Sequence, residues 1–240
     1  MLNLLISLGA GFAVGALFAL LFSGWGYGVI PGLIVAVIVF VVLGRRVLKD
    51  VQERMARVQR ILTPKNPNKA TKPRIDDAVA VLQEGIDKWA PWQFFVEGQV
   101  CGQIGMLYYL DKRFDLAQEP LEKSSPRNWI SKAMLGAIYY RRKRPEDMKA
   151  AFEDAVKYSP KESLLWNAYA WCLYKRQDRD GAISVLNRAV EKLGNEERTG
   201  RNLTAVQNSK GMKMKGWNEM WYQFHLEKPP QMQQQQFGKR

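Results

Sequence analysis

The chain is poor in the residues that do chemistry. Its 240 residues include one histidine, His225, and two cysteines, Cys101 and Cys172, 71 positions apart. A metal site needs several clustered His, Cys or acidic ligands, and a disulfide framework needs paired cysteines at suitable spacing; neither pattern is present. No glycine-rich phosphate loop and no nucleophile–base pair stands out. His225, in "WYQFHLE", has no recognisable partner, and the expectation is a non-catalytic chain without a cofactor. Charge is also missing from one end: no Asp, Glu, Lys or Arg precedes Arg45. That excludes the basic n-region of a secretory signal peptide.

What fills the uncharged end is apolar. Leu2 to Gly24 is long enough to cross ~30 Å of hydrocarbon as a helix. After "WGYG", a second run from Val29 to Gly44 closes at Arg45-Arg46, with Trp25 and Tyr27 as interfacial anchors at its start. Pro31 falls in the first turn, where a missing N–H costs little. The expectation is a helical hairpin over residues 1–44, with a single re-entrant segment as the rival. All basic residues follow the second span, which sets the C-terminal domain on the cytoplasmic side. A short two-span hairpin with a small repeat domain suits a bacterial inner membrane. Ser7, Gly11, Gly15 and Ala19 form a small-residue face on the first span. That face packs either on the second span or on another membrane protein, including a second copy in a homo-oligomer.

The net charge of +13 is unevenly spread. Residues 45–74 carry a basic surplus of eight, residues 75–197 are close to neutral, and residues 198–240 carry a surplus of six. A basic flank after an apolar span fits an anionic membrane surface, with Arg45, Arg46, Lys49, Arg54, Arg57 and Arg60 as the contacting residues. Within residues 45–62, Leu48, Val51, Met55, Val58 and Leu62 make a narrow apolar stripe on a basic amphipathic helix. This helix either prolongs the second span, lies on lipid or pairs with a partner helix. Residues 63–74, with three prolines, read as a linker.

A shift of 34 residues brings out a repeat. Leu135, Gly136 and Tyr139 align with Tyr169, Ala170 and Leu173, and Phe152, Ala155 and Pro160 with Leu186, Ala189 and Gly194. Each unit reads as two amphipathic helices joined by a polar turn, with small residues where helices cross. This pattern resembles the tetratricopeptide repeat family, over Ser163 to Glu196 and over Trp129 to Glu162. Lys132 and Met148 depart from the pattern in the latter. A degenerate copy spans about Gly98 to Asn128, with Pro120 inside its second helix, and residues 75–89 read as a lone second helix or the remains of a repeat. The fold class expected is therefore all-α: a transmembrane hairpin followed by an α-solenoid over residues 75–226 with a C-terminal cap. Residues 227–240 read as a disordered tail.

The resemblance implies a groove lined by the first helix of each pair, taking a peptide or protein segment. The groove-facing set is Met106, Tyr109, Tyr140, Arg141, Trp171, Tyr174 and Lys175, an aromatic row edged by cations. Basic turns at Lys112-Arg113, Arg141 to Arg144 and Lys175-Arg176 form either a binding stripe or a solvated rim. Trp217, Trp221 and Phe224 form an aromatic stripe, read as a cap over the exposed end of the repeats or as a membrane contact. Asn202 opens an N-L-T sequon that a cytoplasmic domain would leave unused. The leading function is a membrane-anchored scaffold that recruits a protein partner. The alternative is a helical-repeat protein binding RNA at the membrane surface, against which stands the near-neutral repeat body.

Overall fold

The computed structural model describes residues 2–22, 24–63, 74–92, 96–194 and 196–229. The core of the expected proline-rich linker and the glutamine-rich tail lie outside the described residues. Among the described residues every regular element is helical. The chain divides into two compact units, Met1–Ser125 and Pro126–Arg240, with the boundary inside the expected repeat array.

The first unit begins with two antiparallel apolar helices. Helix α1 (Leu2–Leu21) and α2 (Trp25–Leu62) each contain a stretch long and apolar enough to cross a membrane. They touch backbone to backbone. A Cβ on Gly11 would meet the Gly32 carbonyl oxygen at 2.5 Å, and one on Gly15 would meet that of Gly28 at 2.9 Å. Glycine is required there because any side chain would force the helices apart. The small-residue face of α1 is thus used inside the hairpin, the first of the two packings expected of it: Gly11 and Gly15 lie under α2. The large side chains turn outward instead, with Leu5, Phe12, Leu20, Trp25, Ile30 and Leu33 all exposed. A continuous apolar surface of this kind is not what a water-facing helix pair presents.

Helix α2 does not stop at the charged residues. It continues for 38 residues, so the apolar span and the basic juxtamembrane helix are one rod. Most of its apolar stripe then finds a partner within the chain, with Val47 in the buried place expected of Leu48, which is exposed. Val47 and Val58 pack with Ala78 and Leu82 of α3 (Ile75–Trp89) and with Val96, Val100 and Ile104 of α4 (Val96–Leu110). The presumed lone helix α3 is therefore paired, and its partner is the C-terminal half of α2. Asp50 ties this junction, accepting from Arg54 Nε at 2.7 Å, Lys88 Nζ at 3.0 Å and Trp89 Nε1 at 2.5 Å. Burial alone would push the Asp50 carboxyl up; the bonds from Arg54, Trp89 and Lys88 outweigh it and hold the group at about 2. The start of α1 joins the same unit, since the Leu2 and Asn3 amides donate to the Pro91 and Trp92 carbonyls.

Helix α5 (Phe114–Lys123) completes the first unit and accommodates Pro120, ending three residues after it. The second unit contains two helical pairs. Helix α6 (Trp129–Arg141) pairs with α7 (Pro145–Tyr158), and α8 (Ser163–Lys175) pairs with α9 (Arg179–Leu193). Helix α10 (Glu197–Gln207), a 3-10 turn at Lys215–Trp217 and the single-turn α11 (Glu219–Tyr222) follow. Local signals set these boundaries: Asn128 caps α6 through Ser131 N, Pro145 opens α7, and Asp178 caps α9 through Gly181 N.

The turns within the pairs repeat to the residue. Lys112, Lys143 and Gln177 each adopt a left-handed conformation, with φ of 62°, 56° and 69°. In each, the next amide reaches back five residues: Arg113 N to Tyr108 O, Arg144 N to Tyr139 O, and Asp178 N to Leu173 O. This closes the last carbonyls of the first helix, as a Schellman motif does, although none of the three residues is glycine. The pair formed by α4 and α5 therefore has the same turn as the two full repeats. Helix crossing repeats too: a Cβ on Gly105 would strike Leu121, and one on Gly136 would strike Phe152.

Candidate partner-binding groove

In the second unit, α6 and α8 are the first helices of the two repeats. Each is buried over almost its whole length, Ser131–Tyr139 in one and Leu164–Leu173 in the other. One helix partner cannot cover every face of a helix. The neighbouring repeat and α10 cover part of what remains, and the chain's own C-terminal segment covers another part.

That segment meets two of the residues expected to line the groove, Trp171 and Arg141. Trp221 packs edge-on against Trp171, with ring centroids 5.3 Å apart, and Phe224 lies 6.5 Å from Trp129. Trp221 and Phe224 are fully buried. Trp217 Nε1 donates to Ser163 Oγ at 3.3 Å. The Glu227 carboxylate accepts from two indoles, Trp171 Nε1 at 3.3 Å and Trp221 Nε1 at 2.9 Å. Arg141 donates to the His225 carbonyl. An indole has one donor and no acceptor, so covering Trp171 and Trp221 requires an oxygen to meet them. Glu227 supplies both of its oxygens.

The expected site residues therefore divide. Tyr140 is half-buried against Trp171 at 5.7 Å, and burial pushes its hydroxyl up. Tyr174 is partly exposed and Lys175 exposed, with the ammonium 5.4 Å from the Trp171 ring. Trp171 is buried beneath Trp221 rather than open to a ligand, and Arg141 is engaged by the segment. Tyr109 corrects the expectation: it is wholly buried, edge-on to Phe114 at 5.0 Å, because the first unit packs around it as core. Met106, in the same unit, is partly buried. Glu227, the first residue of the expected tail, is instead a bonded part of the second unit.

Two arginines of the basic turns are paired and stacked beside their own turns. Arg113 pairs with Asp76 at 2.6 Å and stacks on Tyr108, and Arg144 pairs with Asp147 at 2.7 Å and stacks on Tyr139. Among the residues expected to meet a membrane surface, Arg45, Arg46, Lys49, Arg57 and Arg60 are exposed. Arg54 is not: it turns inward to Asp50, Glu84 and the Val81 carbonyl.

Cys101 and Cys172 are buried, and burial pushes both thiols up, away from the thiolate. Among the described residues no cluster of His, Cys, Asp and Glu could hold a metal ion. Asn202 is buried and bonded to Asn167 Oδ1 and the Lys213 amide, so its sequon is closed to a glycosylating enzyme in the folded chain. The buried triad Asn167, Thr199 and Asn202, which pins α8 to α10, had no signal in the sequence. Nor had the role of Trp129 and Glu227; the aromatic spacing of Trp217, Trp221 and Phe224 marked only one half of that contact.

Residues 131–162 match the family model of the tetratricopeptide repeat. The match covers α6 and α7 almost entirely, so this helical pair is a tetratricopeptide repeat, a unit of the protein-interaction type. No curated protein matches the chain.

Proposed function

We propose that the chain is a membrane-anchored scaffold that recruits a protein partner to the cytoplasmic surface through its tetratricopeptide repeats. The observation that carries the reading is the continuity of α2. One rod bears an uncovered apolar stretch, then a turn of exposed cations, then an apolar stripe buried against α3 and α4. A hairpin over residues 1–44 anchors it, and Arg45, Arg46, Lys49, Arg57 and Arg60 meet anionic headgroups. Residues 45–62 join that anchor to the repeat domain through 63–74, and a bacterial inner membrane is the setting this economy suits. The partner-binding edge consists of Tyr140, Arg141, Tyr174 and Lys175, with Trp171 beneath. The aromatic surface beside fixed cations favours a protein segment carrying apolar and acidic side chains.

The test is photo-crosslinking in intact, alkali-washed membranes, with a photoreactive residue at Tyr174. The unaltered chain is expected to stay in the washed membranes and capture a discrete protein. Capture should fall at least tenfold with Tyr140→Ala and Lys175→Glu together. A chain released by the wash, or capture indifferent to both substitutions, refutes the reading.

A further inference from the structure

We propose that residues 217–227 are a ligand held in cis: the chain occupies its own repeat groove, and a partner binds by displacing that segment with one of the same chemistry. The inference rests on the scaffold reading above and adds the ligand class and its regulation.

The docked segment shows what the groove recognises. Trp221 and Phe224, three residues apart, fill the apolar surface beside Trp171 and Trp129. Glu227, three further on, caps the Trp171 indole. Arg141 holds a backbone carbonyl of the segment. The recognised pattern is thus aromatic, aromatic, acid at positions 0, 3 and 6, with main-chain capture by a guanidinium. Trp171 needs an oxygen acceptor in any covered state, so a displacing partner must supply one.

Three features mark the segment as detachable from the repeats that it covers. It is regular for only two short stretches, a three-residue 3-10 turn and a four-residue helix. Both ends of the aromatic stretch sit in conformations that side-chain-bearing residues disfavour, Asn218 at φ 48° and His225 at φ 49°. The approach to the segment is exposed over Asn208–Gly211, and the bond from the Lys213 amide to Asn202 and the buried Met214 form a separate anchor on α10 that precedes the segment. A tethered segment sees its own groove at an effective concentration on the order of millimolar. For a segment whose own affinity is on the order of micromolar, any free ligand is then opposed about a thousandfold. The groove stays shut to weak ligands and opens to a partner that presents the pattern at high local concentration, as on a membrane surface.

The experiment uses the full chain in detergent micelles, with a site-specific protease sequence inserted at Lys210–Gly211. After cleavage, a labelled peptide spanning residues 212–229 is added in excess and its exchange is followed by fluorescence anisotropy. The nicked chain is expected to take up the peptide with unchanged helical circular dichroism, while the uncut chain binds it about a thousandfold more weakly. Glu227→Ala in the peptide should weaken uptake about tenfold, the loss of charge-assisted bonds to an indole. A nicked segment that never exchanges, or whose departure melts α6–α9, makes it a permanent part of the core and overturns the proposal. Uncut chains that exchange segments with one another as dimers also overturn it, since the occupant is then a second copy. Failure here leaves the membrane crosslink at Tyr174 untouched, so the two readings fall separately.

Discussion

Gly136→Ala in α6 tests whether helix crossing in the tetratricopeptide repeat is limited by a single missing methyl. In an isolated helix the change would stabilise by up to ~1 kcal/mol, because alanine loses less backbone entropy than glycine. Here the new Cβ would meet three ring carbons of Phe152, at 2.5, 2.8 and 2.9 Å. Carbon atoms prefer about 3.5–4.0 Å, so the ring must retreat by roughly 1 Å. Phe152 cannot retreat freely: it is fully buried and stacks on Tyr169 at 5.1 Å with the rings 8° from parallel. Overpacking of this kind costs ~1–3 kcal/mol, which exceeds the propensity gain. The net expectation is destabilisation of α6 and α7 by about 1–2 kcal/mol. Gly200→Ala in α10 is the matched control, since nothing lies within 4 Å of its would-be Cβ, and it should stabilise by a few tenths to ~1 kcal/mol. Amide hydrogen exchange of the full chain in micelles reads each helix separately, and 1.4 kcal/mol is tenfold in protection. Gly136→Ala should lower protection in α6 and α7 while Gly200→Ala raises it in α10. If Gly136→Ala raises protection as Gly200→Ala does, the crossing is not limited by that contact and the packing argument fails.

Asp50 makes the junction of α2 and α3 sensitive to acid. Its folded value, about 2, lies below the ordinary 3.8, so it stabilises the folded form above pH ~5 and this contribution is lost as the pH falls from about 4 through 2. The shift corresponds to about 2 kcal/mol, and Asp50→Asn should remove both the contribution and that part of the acid dependence of Trp89 fluorescence. An unchanged acid profile would mean that the three donors do not hold the carboxylate in solution. Both cysteines should resist iodoacetamide at pH 7.5 in the native chain and react after denaturation, because each thiol is buried and pushed up. Rapid native labelling of Cys172 would contradict the packing of α8.

Much of the architecture can be read from local pattern. The uncharged end, the small residues at Gly11 and Gly15, and the 34-residue register of Gly136 with Ala170 are short-range signals. Each reports what one helix must bury or how closely another can approach, and these demands act within a few turns of chain. The same holds for the caps at Asn128 and Asp178, whose side chains bond to amides three residues on.

Exposure is a different kind of property. Tyr109, Tyr140 and Tyr174 hold one register position, yet Tyr109 is core while the other two are partly open. Arg54 reads like its basic neighbours but turns to Asp50 and Glu84. Helix α3 looks alone because its partner, the C-terminal half of α2, is separated from it by the proline-rich stretch. Trp171 reads as a ligand contact until Trp221 and Glu227, 50 and 56 residues later, are brought over it. The amino-acid sequence by itself determined that this protein is helical, that its first helices are apolar and that its later helices pair in a repeating register. Only the tertiary structure decided which faces of those helices remain open. The physical reason is that amphipathicity states that a face needs covering, whereas the segment that covers it is chosen by contacts between residues far apart in the chain.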